Sequence, residues 1–549
     1  MRRTVWAFGF IALLLGGVLH AGVEPSPVAD AAQRNDIHAV RRLIAEGASV
    51  TAPQGDGMTA LHWAAVHGDT EMARALIVAG SNVSAVTRIN AYTPLFLASQ
   101  RGDGPLVGLL LSAGARADAV SKTGSTPLML AAASGDLVSV KKLLDAGAPV
   151  NVKESGRGQT ALMFAAAYNR ATVIRLLVER GAQVDATASV RDLYAFTRDR
   201  TAADPNRPRP AVPGADRNFT FNELVGYEGG MTALLFAARQ GHVEAVKALL
   251  AAGAPINQVS AGDRTSPLLI ATINGHFNLA LLFLDGGANP NLAAENGVAP
   301  LYAAVACQRA AIAAYPQPRA HLQQSTSYLS LMKALLDKGA DPNARINRKV
   351  WYSEYNHDES NMDETGATAF WRAAYAGDVE AMRLLAASGA DPHLATIALP
   401  VQRRYGYVTQ GGGLDRSGLP PVMPGAPAAT PLLAAAGIGY GRGAGSTVNR
   451  SLIGWMPAVQ YLVEELSADV NWRDDGGDTA LHYAAARGDN EMILFLIAKG
   501  ADVTAVNRAG QTVADMANGP TERGVPPFPE TLALLGKLGV RPNYKCTLC

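Results

Sequence analysis

Apolar residues along this chain come in short blocks that break, resume and then start again. In Gly124-Ser125-Thr126-Pro127-Leu128-Met129-Leu130-Ala131-Ala132-Ala133-Ser134-Gly135-Asp136 an Ala- and Leu-rich run opens after Thr126 and closes at Gly135. Thr is placed to cap a helix, and Pro follows at the first helical position, where its missing N–H costs nothing. Gly135 ends that helix, and Val138 through Leu144 carry apolar residues at helical spacing for a second one, before Ala146-Gly147-Ala148. Gly147 suits the left-handed backbone just past a helix end. A loop carrying Asn or Asp then runs to the next Gly. The block predicts a helix, a turn, a helix and a projecting hairpin-like loop.

The block restarts along the whole chain, at Thr59-Ala60-Leu61-His62-Trp63-Ala64-Ala65, Thr93-Pro94-Leu95, Thr126-Pro127-Leu128, Thr160-Ala161-Leu162, Thr232-Ala233-Leu234 and Thr479-Ala480-Leu481-His482-Tyr483-Ala484-Ala485. The first spacings are 34 (93 minus 59), 33 (126 minus 93) and 34 (160 minus 126). Self-similarity at this period means small units, none able to bury its apolar face alone, so the fold class is an all-α repeat solenoid held by neighbour contacts.

The second half of the unit also recurs, as Leu249-Leu250-Ala251-Ala252-Gly253-Ala254-Pro255-Ile256-Asn257 and as Leu335-Leu336-Asp337-Lys338-Gly339-Ala340-Asp341-Pro342-Asn343. These residues closely resemble the ankyrin repeat, whose pattern runs G-x-T-P-L-H-x-A-A-x-x-G-H and closes on L-L-x-x-G-A-D-V-N. First-helix phrases begin at Thr59, Thr93, Thr126, Thr160, Thr232, Ser266, Ala299, Thr368, Thr430, Thr479 and Thr512, with a partial unit from Val28 to Val50 before them. The resemblance implies helix-turn-helix units with hairpin loops. It also implies a binding protein rather than an enzyme.

Breaks in the period mark the expected domain organisation. Gaps of 72 (232 minus 160), 69 (368 minus 299), 62 (430 minus 368) and 49 (479 minus 430) are too long for one unit. Residues 28–185 form an N-terminal block of repeats, followed by an inserted loop at 186–229. Repeats resume over 230–344, with an internal insert at 308–328, and a second inserted loop fills 345–365. One repeat at 366–393 precedes a third inserted loop at 394–428. A C-terminal block at 429–540 holds an internal insert at 437–456, and a tail spans 541–549. Inserts between units and inserts between the helices of a unit emerge at opposite edges in the resembling fold, so they are expected to build up both margins of a groove.

Composition suits such a scaffold: 48% hydrophobic residues with 6% aromatic is what Ala- and Leu-rich helix stacking produces. A net charge of +1, from 48 Lys and Arg against 47 Asp and Glu, gives no whole-molecule case for nucleic acid or an anionic membrane. Arg191, Arg198, Arg200, Arg207 and Arg209 in the first insert, and Glu354, Asp358, Glu359, Asp363 and Glu364 in the second, read as solvated loop charge.

Met1-Arg2-Arg3 followed by the apolar stretch Val5 to Leu19 and then Leu19-His20-Ala21 has the pattern of a secretory signal peptide at 1–21, because the run is shorter than the ~20 residues a spanning helix needs. Export is expected, to the periplasm or the medium if the source is bacterial, with no membrane span after cleavage. An uncleaved anchor is the other reading.

Chemistry-bearing groups are few. Cys546-Thr547-Leu548-Cys549 forms a bare C-x-x-C, a local disulfide or redox pair, or half of a metal site. Its presence keeps a second class of function open, a redox- or metal-linked periplasmic accessory protein. Cys307 reads as a partly covered thiol. His62 and His482 occupy a slot that the resembling fold uses to tie loop and helix ends. Asp474-Asp475-Gly476-Gly477-Asp478 lacks the alternation and the closing Glu of a calcium loop. Neither a catalytic set, a cofactor nor a metal is expected.

Aligning unit on unit puts Val66, His67, Gln100, Arg101, Tyr168, Arg239, Gln240, Ile273, Asn274, Tyr375 and Arg487 at the groove-facing ends of successive first helices. These positions vary while the core positions stay fixed, as a binding surface would and as plain exposure would. Tyr168 and Tyr375 are the aromatic anchors of the row. The expected ligand is a protein or peptide held in the groove and by the loop tips, by a protein that is itself a monomer.

Overall fold

Thr126 shows how each unit starts: its hydroxyl accepts the Met129 N–H, and Pro127 opens the helix Pro127–Ser134. Gly135, at φ 87°, ends it in the left-handed region, where a side chain would be strained. The Asp136 carboxylate then accepts the Ser139 N–H at 2.8 Å and starts the second helix, Leu137–Asp145. Asp69, Asp103, Asp378 and Asp489 start other second helices in the same way. A short side-chain acceptor at this point satisfies an N–H that the helix leaves orphaned.

The structure, a computed structural model, describes residues 26–195, 221–308, 320–348, 364–398, 418–439, 455–518 and 527–543. The chain divides into two compact parts, residues 1–149 and 150–549. The first holds the helix pairs Pro27–Gln33 with Ile37–Ala45, Ala60–His67 with Thr70–Val78, Pro94–Arg101 with Gly104–Ser112, and Pro127–Ser134 with Leu137–Asp145.

The second part continues the pattern with Ala161–Ala167 and Ala171–Glu179, Ala233–Gln240 and Val243–Ala251, Pro267–Ile273 and Phe277–Asp285, and Pro300–Gln308 and Tyr328–Asp337. It goes on through Ala369–Ala376 and Val379–Ala387, Pro431–Ala436 and Met456–Gln460, Ala480–Ala485 and Asn490–Ala498, and Val513–Ala517 and Pro529–Lys537. The all-α repeat solenoid expected from the sequence is the fold observed.

Packing between units supplies most of the stability. Leu61, Leu76, Leu95, Leu110, Leu128 and Leu143 of the first part are fully buried, each contributing about 1.5–3 kcal/mol. Ala64, Ala98 and Ala131, also buried, let the first helices approach closely. Hydrogen bonds between units contribute less, about 0.5–1.5 kcal/mol each, but they fix the register. Successive hairpin tips are joined by a backbone N–H donated to a carbonyl of the tip before: Arg88 to Asp56 and Lys122 to Asn90 in the first part, and Ser189 to Arg157, Ala261 to Gly230, Glu295 to Asp263, Asn347 to Asn296, Ile397 to Thr365 and Arg508 to Gly476 in the second. At the opposite end of the unit Asn151 donates to Gly181 O and accepts from Gln183 N, and Asn291, Asn343 and Asn471 repeat the arrangement.

This ladder locates the inserts. The segment 186–229, expected as a loop, begins and ends as a two-stranded antiparallel ribbon, Val190–Asp192 against Tyr227–Gly229, with Val190 opposite Gly229. The ribbon extends a hairpin tip whose base is closed by Ala188 N to Met231 O and Gly230 N to Ser189 O. The inserts at 345–365 and 394–428 leave from tips of the same kind, closed by Ile346 N to Ala367 O and by Thr396 N to Ala429 O. Two inserts also meet: Arg348 donates to the Tyr194 hydroxyl at 2.9 Å and lies 3.4 Å from the Glu295 carboxylate on a tip between them.

Candidate partner-binding face

The first helices of the second part differ sharply in what they leave open. Phe164 and Ala167 in Ala161–Ala167, Arg239 and Gln240 in Ala233–Gln240, and Ile270 and Ile273 in Pro267–Ile273 are not buried. Tyr168, just past the end of its helix, is 55% exposed, and Gln240 and Asn274 are exposed beside it in the following units. By contrast, all of Ala369–Ala376, Pro431–Ala436 and Ala480–Ala485 is buried. The open part of the face therefore spans three successive units.

Two residues placed on the groove row from sequence belong to the interior. Tyr375 is 1% exposed, stacked on Trp371 with ring centroids 5.5 Å apart, and the Arg372 guanidinium lies over its ring. Trp371 in turn donates its indole N–H to Ala429 O at 3.0 Å. Bulky rings one helical turn apart fill space that smaller residues leave open elsewhere. Arg487 is also buried: its guanidinium sits 3.3 Å from the Trp455 ring centroid and pairs with Asp489 at 2.8 Å. Trp455, near the end of the insert expected at 437–456, covers the position.

In the first part the row keeps Val66 and Gln100 exposed, but two polar tips are spent on structure. His67 Nε2 donates to Gln33 O at 3.0 Å and Arg101 to Val66 O at 3.2 Å, each carbonyl lying in the preceding unit. Further along the chain, His242 and His276 make the equivalent link to Ala167 O and Arg239 O. Asn274 folds its amide back on Ile270 O.

Arg239 is half-buried beside Phe236, 5.3 Å from the ring centroid, with Met231 Sδ at 3.8 Å. Burial pushes the guanidinium pKa down, and the nearby charge of Arg157 adds to the effect. Arg157 is exposed at the hairpin tip before the Ala161–Ala167 helix, and the sequence reading passed over it. A cation in the tip Ser155-Gly156-Arg157-Gly158, one unit ahead of Arg239, was the available signal.

His62 and His482 do tie loop to helix. Each Nδ1 accepts the N–H of the capping Thr, at 3.1 and 3.2 Å, which leaves Nε2 to donate to Tyr92 O and Gln511 O. Burial, the largest cause, lowers both pKa values. Asp474 is occupied by Gly476 N, Asp478 N and the Tyr483 hydroxyl, an ordinary tip rather than a cation loop. Among the described residues no His, Cys, Asp and Glu are grouped so as to hold a metal ion, and no helix is long and apolar enough to cross a membrane. Cys307 Sγ lies 3.8 Å from His321 Nδ1. Cys546 and Cys549, and the segment 1–21, lie outside the described residues.

Family comparison matches ankyrin repeats in three copies over residues 11–87, 28–121, 95–188, 214–294 and 234–315, and ankyrin repeats in many copies over 461–517. The chain is similar to palmitoyltransferase Hip14 of Drosophila melanogaster, 37% identical over 100 residues, which is 17% of this chain and 16% of that protein. It is also similar to a putative ankyrin repeat-containing protein of Treponema pallidum, 38% identical over 76 residues, 14% of this chain and 26% of that one. The match thus spans 16% and 26% of the length of these relatives. A crystal structure of the human ASB11 ankyrin repeat domain aligns with 27% identity over 45% of this chain and 92% of that domain, at a TM-score of 0.34.

Proposed function

Since the chain belongs to the ankyrin repeat family, we propose that it is an exported scaffold that binds a protein or peptide partner through the open ends of its first helices and the adjoining hairpin tips. The observation that carries this reading is the contrast within one row: Tyr168, Gln240 and Asn274 stand exposed on successive units, while Tyr375 and Arg487 in the same row are packed away. A rigid backbone with exposed, variable side chains at fixed spacing is a surface suited to recognition, because binding then orders few groups. Tyr168 is the natural anchor, being large and amphipathic with few rotamers to freeze.

Pull-down from the extracytoplasmic fraction supplies the partner, and calorimetry with single variants tests the face. Tyr168→Ala is expected to weaken binding by about 2 kcal/mol or more with an unchanged melting temperature. Lys247→Ala, on a second helix and paired with Glu244 at 3.0 Å, is expected to leave affinity unchanged. Equal affinity for both variants and the wild type would remove this face as the binding site.

A further inference from the structure

Arg157 and Arg239 are two cations on a tip and on a first helix of the open face, joined through one set of contacts: Arg157 O accepts the Ser189 N–H, Ser189 O accepts the Gly230 N–H, and the sulfur of Met231, the next residue, lies 3.8 Å from the Arg239 guanidinium. Among the described residues neither guanidinium meets a carboxylate, although acids stand close by in sequence. Glu154, on the same tip as Arg157, is consumed by its own loop: its carboxylate accepts the N–H groups of Gly156, Arg157 (2.7 Å) and Gln159 (3.1 Å). Glu228, on the ribbon, lies 3.7 Å from Arg191. The two arginines therefore add rather than cancel.

A half-buried cation without a counter-charge is costly, since it loses hydration and gains no ion pair in return. Arg239 bears that cost against the Phe236 ring and the Met231 sulfur, neither of which supplies an anion. Its planar fork is suited to a carboxylate, which it can meet with two parallel hydrogen bonds. The ribbon 190–192/227–229 rises from the tip next to Met231, whose sulfur lies beside Arg239.

We infer that Arg157 and Arg239 form a receptor for carboxylate side chains, and that the segment docking on this face is an acidic peptide stretch of the partner. The inference rests on the proposed partner-binding face and adds the chemistry of what that face accepts. Apolar contact with Tyr168 and Ile273 flanks the charged pair, so the segment carries apolar residues beside its acids.

The test is fluorescence anisotropy on the full chain with a fluorescein-labelled peptide of alternating glutamate and leucine, against the same peptide with glutamine for glutamate. Expected are saturable binding of the glutamate peptide, weakening as salt rises, and at least roughly tenfold weaker binding by Arg239→Gln and by Arg157→Gln. Arg157 is exposed, so its variant folds even if Arg239→Gln does not, and circular dichroism melts report on both. Binding of the two peptides alike, no binding of the glutamate peptide to the wild type, or preferential binding of a single-stranded oligonucleotide would each overturn the inference. If Tyr168→Ala weakens capture of the native partner while Arg239→Gln and Arg157→Gln do not, the acidic specificity fails and the face stands; if none of the three has an effect, the face itself fails.

Discussion

His62 and His482 hold one tautomer because the Thr N–H donated to Nδ1 leaves the proton on Nε2. Protonation at Nδ1 would set a donor against a donor, and burial already lowers both pKa values. The unfolded chain takes up a proton near the usual histidine value of about 6.5, whereas the native state resists it. The unfolded state then binds more protons, so stability is fully present above that value and is lost as pH falls towards the depressed native values. Urea midpoints are expected to fall between pH 7.5 and pH 5.5, and the fall to shrink in a His62→Ala variant. That variant, leaving Thr59 N and Tyr92 O without their partner, is expected to cost about 1–3 kcal/mol at neutral pH. Tyr375→Ala is expected to lower stability by roughly 3–5 kcal/mol, a core effect. Tyr375 stands seven residues past its cap (375 minus 368), as Arg239 does (239 minus 232), so the sequence placed them together. What separates them is Trp371, whose ring occupies the space over Tyr375, and register alone carries no information about that.

Helix pairs were legible because every level of the signal agreed: the Thr cap, Pro at the first position, apolar spacing and a left-handed Gly. The ribbon was not, since Val190–Asp192 and Tyr227–Gly229 are too short to show an alternating pattern and are paired across a long gap in sequence. Glycines at the two ends of a unit are constrained differently. Gly253 has φ +85° and open space around it, so Gly253→Val adds backbone strain alone, about 1–2 kcal/mol. Gly230 has φ +64° and a Cβ there would lie 2.7 Å from Ala261, whose N–H is a rung of the tip ladder. Gly230→Val is therefore expected to be the more damaging of the two in chemical denaturation. Arg348→Ala, removing the link to Tyr194 and Glu295, is expected to raise amide exchange in the ribbon, since those contacts hold the two inserts together.

Across the whole molecule, repetition gave the fold, while the departures from it decide which units can bind. Burial of Ala369–Ala376, Pro431–Ala436 and Ala480–Ala485 depends on what lies over them, and the repeat pattern describes only what lies beside them. Insert positions were readable from the gaps, but their side was an expectation taken from the resembling family; Trp455 over Arg487 shows one of them on the groove row. Export is a separate expectation, carried by Met1-Arg2-Arg3 and the apolar run to Leu19. N-terminal sequencing of the extracytoplasmic protein is expected to find a start just after Ala21, and a membrane-held species starting at Met1 would contradict it. The central claim is that binding takes place on the open first helices, and hydrogen exchange with and without the captured partner tests it most directly. The account predicts new protection at the ends of Ala161–Ala167, Ala233–Gln240 and Pro267–Ile273 and none at Ala369–Ala376; protection confined to other segments, with those three helix ends unchanged, would contradict it.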